Sequence, residues 1–83
     1  MLGIGKQCTL KDLKIGQKAR IIYISNKNRL LFGRLLEMGI TVGVDIVIKK
    51  ISPFGDPVCV ELRGYELCIR GDVMKQIRVE VLL

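Results

Sequence analysis

Apolar and polar residues alternate along five short stretches of the chain, the pattern of β-strands that bury one face. In one of them Val58, Val60 and Leu62 share a side of the strand. Several of these stretches are rich in the β-branched residues that favour strands. The alternation predicts strands at Lys18–Ser25, Asp45–Ile51, Val58–Arg63, Glu66–Arg70 and Ile77–Val81.

A helical spacing of apolar residues replaces this alternation over Arg29–Met38. Five residues form one continuous apolar arc on a helical wheel, and we expect them to face the core: Leu31, Phe32, Leu35, Leu36 and Met38. Gly39 follows, where helices commonly end on a left-handed residue. Leu30 falls on the other side of the wheel, and we expect it to be exposed beside Arg34 and Glu37.

A tight turn separates the third and fourth predicted strands. Gly64 followed by Tyr65 fits a two-residue turn of type II′, which takes glycine at its first position. This register places Arg63 opposite Glu66, which is a favourable cross-strand pair of opposite charges. The sequence therefore predicts a β-hairpin with that register.

The predicted hairpin carries two of the three cysteines, Cys59 and Cys68. In its register Cys59 faces Arg70 and Cys68 faces Glu61, so the cysteines are diagonal neighbours, about 7–8 Å apart at the backbone. Disulfides rarely join Cα atoms more than about 7 Å apart, so we expect two reduced thiols. A metal site on both thiolates lacks a third ligand, whereas structural zinc sites use four.

Five short strands with one helix after the first predict a mainly β fold. A small barrel is the favoured arrangement, because closing the sheet removes exposed strand edges. Short helical turns are expected after Thr9 and at Asp72. At 83 residues, the SH3-like barrel is the expected architecture. We expect residues 1–8 to form an N-terminal extension and residues 9–83 to form a single domain.

The charge of the chain is unevenly distributed. Residues 1–34 contain eight basic residues and one acidic residue, giving +7, whereas residues 35–83 contain six basic and seven acidic residues, giving −1. Such asymmetry indicates an acidic partner, nucleic acid or an anionic membrane surface. A solubilising surface with chance clustering is the alternative.

The residue types favour a binding module over an enzyme. The chain has no histidine, the usual general base and commonest metal ligand. It has no Gly-x-Ser-x-Gly motif and no phosphate-binding glycine loop, so no catalytic residue, cofactor or metal site is expected. It also lacks the run of about 20 apolar residues of a membrane span, and a secretory signal, so a cytoplasmic location is expected.

Five ordered sequence blocks, which together cover about residues 9–82, resemble the FeoA family of small ferrous iron transport proteins. The blocks are Thr9-Leu10-x-Asp12-Leu13-x-x-Gly16-x-x-Ala19, Arg34-Leu35-Leu36-Glu37-Met38-Gly39-Ile40-Thr41-x-Gly43, Pro53-x-Gly55-Asp56-Pro57, Arg63-Gly64-Tyr65-x-Leu67-x-Ile69-Arg70 and Ile77-x-Val79. Each block alone is a weak signal, and their order makes the resemblance specific.

The resemblance implies an FeoA-type SH3-like domain that binds the membrane permease FeoB, which carries a cytosolic GTP-binding domain, and acts as an accessory or regulatory protein of ferrous iron uptake. It supplies no strict metal-ligand motif. Three positions depart from the family pattern: Val42 replaces a usual proline, Cys68 a small residue and Gly71 a charged residue. None of the three belongs to the predicted core.

The candidate partner-binding residues are Leu30, Arg34 and Glu37 on the outer side of the helix, with Phe54 in the loop Ser52–Pro57 as a reserve anchor. Leu30 also fits ordinary surface scatter, and a loop aromatic such as Phe54 also fits a residue that covers one end of the core. Two other functions stay open: a stand-alone module that binds an iron-dependent transcription regulator, and a basic barrel that binds nucleic acid. Weak self-association also stays open.

Overall fold

The computed structural model describes residues 3–83, in which six strands, two helices and one 3₁₀ turn follow each other in a simple order. Neither helix among these residues has the length and apolar character of a membrane-spanning segment. The elements are β1 (Gln7–Thr9), η1 (Leu10–Asp12), β2 (Lys18–Ile24), α1 (Arg29–Glu37), β3 (Asp45–Ile51), β4 (Val58–Leu62), β5 (Tyr65–Ile69), α2 (Gly71–Met74) and β6 (Ile77–Val81).

The six strands form one antiparallel sheet in the order β1-β6-β2-β3-β4-β5. The mainly β prediction is confirmed, but its count of about five strands omitted β1. Gln7 and Cys8, which the predicted domain boundary assigns to the N-terminal extension, pair with Glu80 and Val79 of β6. A three-residue strand is too short to show a clear alternation, and only its partner β6 identifies it.

The sheet curls into a small barrel whose two edge strands, β1 and β5, are not joined by a hydrogen-bonded ladder within residues 3–83. The short elements that follow these two strands, η1 and α2, contact each other. Asp56, in the loop before β4, reaches the same region, where its carboxylate accepts a hydrogen bond from the Gly71 N–H at 2.9 Å. Helical turns therefore link the ends of the sheet that backbone pairing leaves apart.

The core lies inside the curl and consists of the inward side chains of every strand together with η1, α1 and α2. Apolar residues at alternate positions supply it, as the pattern predicts: Val58, Val60 and Leu62 are each at most 5% exposed. The completely buried side chains of the core include Leu10, Ile21, Leu35, Ile40, Ile46, Ile48, Met74, Ile77, Val79 and Val81. One continuous core thus supports all of the elements.

Helix α1 buries a narrower arc than the sequence predicts. Leu35 is completely buried, and Leu31 and Phe32 pack against the core at its margin. Leu36 and Met38, which the wheel places on the same arc, are 42% and 38% exposed. The prediction is wrong for these two, because the helix ends at Glu37 and only one side of a short helix meets the curled sheet.

The β4–β5 hairpin has a different register from the predicted one. Arg63 and Gly64 form the turn, both with positive φ (49° and 86°), as a type I′ turn requires. Leu62 therefore pairs with Tyr65, and Cys59 pairs directly with Cys68. The two cysteines form a disulfide, with their Cα atoms 3.9 Å apart. The expected pair of reduced thiols at this position is wrong.

Candidate functional site

The helix α1 is held in place at both ends by local hydrogen bonds. The Asn28 side chain caps its first turn by accepting a hydrogen bond from the Leu31 N–H at 3.1 Å. At the other end the Met38 N–H donates to the carbonyl of Arg34, and Gly39 follows with a φ of 86°. Leu35 buries the inner side of α1 in the core. The opposite, outer side of the helix therefore has a fixed orientation toward solvent.

Three of the four candidate residues form one surface on this outer side, which we call the helix face: Leu30, Arg34 and Glu37. Their spacing of four and three residues places them one above another on α1. The Leu30 side chain is 69% exposed, and Arg34 and Glu37 are also exposed. Leu30 is exposed as the wheel predicts, while the role of the helix face in binding stays a prediction.

The fourth candidate, Phe54, lies on a different element, the loop between β3 and β4. Its ring is 97% exposed and so does not cover the core. The loop is fixed on either side of the ring, because the Gly55 N–H donates to the Ser52 carbonyl at 2.7 Å and Asp56 is bound to Gly71. Phe54 is thus an apolar side chain held out from an anchored loop.

An apolar region that the sequence did not indicate lies at the C-terminal end of α1. Met38 is partly exposed there, beside Tyr65 of β5, which is 40% exposed, and Leu36 on the last turn of α1 is partly exposed as well. The Tyr65 hydroxyl donates a hydrogen bond to the Met38 carbonyl, so the strand and the helix end are in contact. The sequence signal for this exposure was Gly39: a helix that ends before this glycine leaves Met38 at its end, where the helical wheel no longer describes the direction of the side chain.

The positive charge of residues 1–34 is neutralised in one place and not in another. On β2, Arg20 donates to Asp45 at 2.9 Å, and this hydrogen bond raises the pKa of Arg20 further above its ordinary value. Lys18 lies 4.0 Å from the same carboxylate. By contrast, no ion pair within residues 3–83 involves Lys27, Arg29 or Arg34. Within residues 3–83 the unpaired positive charge of this part of the chain therefore lies around α1 and also at Lys6, Lys11 and Lys14.

The remaining chemistry of the described residues is sparse. They contain no group of three or more side chains arranged to hold a metal ion, and no pocket. Cys8, the free cysteine, lies on β1, and its side chain is buried in the core. Burial raises the pKa of its thiol, nearby Asp12 acts in the same direction, and Arg78 opposes both. The candidate sites are consequently exposed faces of the barrel.

Comparisons with known proteins agree with the fold and the sequence blocks. Residues 8–81 match the model of the FeoA domain family. The solution structure of an FeoA-like protein from Clostridium acetobutylicum is 37% identical, with a TM-score of 0.86 over 94% of this chain and 90% of that one. The crystal structure of Stenotrophomonas maltophilia FeoA, described as a prokaryotic SH3 domain protein, is 22% identical with a TM-score of 0.76 over 88% and 89% of the two chains. The latter likeness confirms the SH3-like fold.

A relative in Porphyromonas gingivalis is a fusion of Fe(2+) transport protein A with the Fe(2+) transporter FeoB. It is 29% identical to this chain over 73 residues, which are 88% of this chain and 8% of the fusion protein. The chain thus spans a small part of that relative. In that protein, a domain similar to this one is covalently joined to an iron transporter.

Proposed function

The chain belongs to the FeoA domain family, and from this premise we propose that it serves ferrous iron transport as a non-catalytic accessory protein that binds the cytosolic portion of an FeoB-type permease. The observation that carries the proposal is the Porphyromonas gingivalis fusion, in which a related domain and a transporter share one polypeptide. The proposed role is thus the one that the fusion suggests for the related domain, which is to act on the transporter to which it is joined.

The helix face is the proposed contact with the permease. Leu30 offers an apolar side chain that is 69% exposed and has no part in the core, and exposed apolar groups of this kind anchor interfaces. Arg34 and Glu37 border it with both charge signs. Burying Leu30 against a partner would contribute about 1.5–3 kcal/mol. This contribution is enough for a measurable effect of a single truncation.

The charge around α1 supports the same location. Because Lys27, Arg29 and Arg34 form no ion pairs within residues 3–83, their charge is available to an acidic partner surface. Complementary charge raises the association rate and fixes orientation more than it raises affinity. We therefore expect association to slow as salt rises, while dissociation changes less.

The test compares two double variants. Leu30→Ala with Arg34→Glu alters the helix face, and Ile15→Ala with Lys14→Glu makes the same kinds of change at another exposed site, where Ile15 is 61% exposed. We expect the first variant to lose binding to the purified cytosolic portion of the permease by at least about tenfold and to reduce iron uptake in cells. The second variant should behave like the unmodified protein.

Both variants should unfold at nearly the same denaturant concentration as the unmodified chain, since none of the four side chains is buried. A stable helix-face variant that binds and supports uptake normally would exclude the helix face. Loss of binding in both variants alike would instead indicate a non-specific charge effect. A full absence of binding by the unmodified chain would contradict the permease as partner.

A further inference from the structure

The observed register gives the hairpin two facing pairs of like residues on its outward side. Cys59 of β4 is opposite Cys68 of β5, and Glu61 is opposite Glu66. Residues two apart along a strand point to the same face, so the four side chains share one surface, which we call the hairpin face. Cys68 and Glu66 are exposed, and Cys59 and Glu61 are partly exposed. The hairpin face is open to solvent.

The two pairs are close enough to act together. Successive same-face pairs lie about 6.8 Å apart along a strand, and a glutamate side chain is long enough to lean over most of that distance. The two cysteine Cα atoms are 3.9 Å apart, which brings both sulfur atoms to one point. The two carboxylates thus lie on the same face as the two sulfurs, one step of same-face pairing away along the strands.

The facing glutamates are an unfavourable pair that the described contacts compensate only in part. Like charges directly opposite each other destabilise an antiparallel pair. One of the two glutamates, Glu61, forms an ion pair with Lys49 Nζ at 3.9 Å, in which both side chains are close to half exposed. An exposed pair of this kind contributes at most about 1 kcal/mol. A bound cation between the strands would offset the repulsion.

We propose that the hairpin face, once its disulfide is reduced, binds one thiophilic divalent cation such as Zn²⁺ through the thiolates of Cys59 and Cys68 and the carboxylates of Glu61 and Glu66. These four groups supply the tetrahedral set of sulfur and oxygen ligands that Zn²⁺ accepts. Zn²⁺ also binds such sites more tightly than Fe²⁺ does. We therefore expect the reduced site to prefer Zn²⁺ over Fe²⁺.

The disulfide and the bound metal exclude each other, because both use the sulfur atoms of Cys59 and Cys68. A dithiol reductant gives two electrons and two protons to the Cys59–Cys68 bond, which yields two thiols and an oxidised reductant. The cation then replaces the two thiol protons, which pass to solvent. In the disulfide form the described residues hold no group of three or more side chains arranged to hold a metal ion. The hairpin face would thus bind metal in its reduced form and release it on oxidation.

The experiment uses the full chain, reduced anaerobically with dithiothreitol, desalted, and titrated with Co²⁺ as a spectroscopic probe. We expect one Co²⁺ per chain, a thiolate-to-cobalt charge-transfer band, and displacement by Zn²⁺. Cys68→Ser changes an exposed position and should abolish the band. Cys8→Ala removes the buried third thiol, and we expect this variant to keep the charge-transfer band. The disulfide form should give no band.

The carboxylates are tested separately in the double variant Glu61→Gln with Glu66→Gln. We expect it to keep the thiolate band but to bind Zn²⁺ at least about tenfold more weakly in competition with a chromophoric chelator. Equal Zn²⁺ affinity of the reduced chain and Cys68→Ser would overturn the site, as would an unchanged affinity in the double glutamine variant. Permease binding by the metal-free chain is measured independently, so the two proposals fail separately.

Discussion

The hydroxyl of Tyr65, on strand β5, donates a hydrogen bond to the main-chain carbonyl of Met38, where helix α1 ends. The last carbonyls of a helix have no partner within it, so a side-chain donor satisfies one of them. Gly39 makes the contact feasible, since a Cβ atom at that position would lie 2.6 Å from the Tyr65 hydroxyl oxygen. Glycine is also required by its φ of 86°.

Tyr65→Phe should therefore lower the free energy of unfolding by about 0.5–1.5 kcal/mol, because it removes the donor and leaves the ring in place. Gly39→Ala should cost about 1–3 kcal/mol, from the left-handed backbone together with the close approach to the hydroxyl. Urea unfolding followed by circular dichroism measures both. In the Tyr65→Phe background the Gly39→Ala cost should be smaller, and strict additivity would contradict the contact.

Asp56 is expected to stabilise the fold through helix α2 instead of through its own loop. Its carboxylate accepts the Gly71 N–H at the start of that helix, so Asp56→Ala should cost about 0.5–2 kcal/mol, as loss of an N-terminal cap does. Asp56→Asn keeps an acceptor oxygen and serves as the control. If both variants unfold at the same denaturant concentration, the hydrogen bond does not matter.

Cys8 should make the stability of the protein decline at alkaline pH. Burial raises the pKa of its thiol above the ordinary value of 9.0, so the unfolded chain releases its proton first. The contribution of the neutral thiol is thus fully present below about pH 9 and is lost as pH rises through the folded value. Between pH 8 and pH 10.5 the Cys8→Ala variant should lose less unfolding free energy than the unmodified disulfide form does. Parallel curves would argue against the raised pKa.

Replacement of Phe54 should leave the stability of the protein almost unchanged, and it tests whether this residue is the reserve anchor for the partner. Because its ring is 97% exposed, Phe54→Ala should change the free energy of unfolding by no more than about 0.5 kcal/mol. Binding to the cytosolic portion of the permease is then measured beside the helix-face variant. A loss of at least about tenfold would extend the contact to the β3–β4 loop, and normal binding would confine it to the helix.

The sequence by itself determined the strands with alternating apolar residues, the position of the helix and the exposure of Leu30. These features depend on local periodicity, since a residue's face follows from its spacing along the same element. The order of these elements, together with the chain length, also predicted the SH3-like architecture, and the family blocks implied the same fold. Local spacing could not predict the three-residue strand β1, which its partner β6 defines. Nor could it predict the exposure of Leu36 and Met38, because their burial depends on how far the curled sheet extends beneath α1.

The hairpin register was decided by tertiary structure alone. Moving the turn from Gly64–Tyr65 to Arg63–Gly64 shifts every cross-strand partner by two residues, and a shift of two leaves each side chain on its original face. The apolar alternation of β4 and β5 therefore fits both registers equally.

Contacts beyond the hairpin favour the observed register. The guanidinium of Arg63 donates to the Thr41 hydroxyl at 3.3 Å, and the Tyr65 hydroxyl reaches Met38. These contacts offset the left-handed backbone of Arg63, which costs about 1–2 kcal/mol in a residue other than glycine. The same register brings Cys59 to face Cys68, a juxtaposition that the periodicity of neither strand could predict.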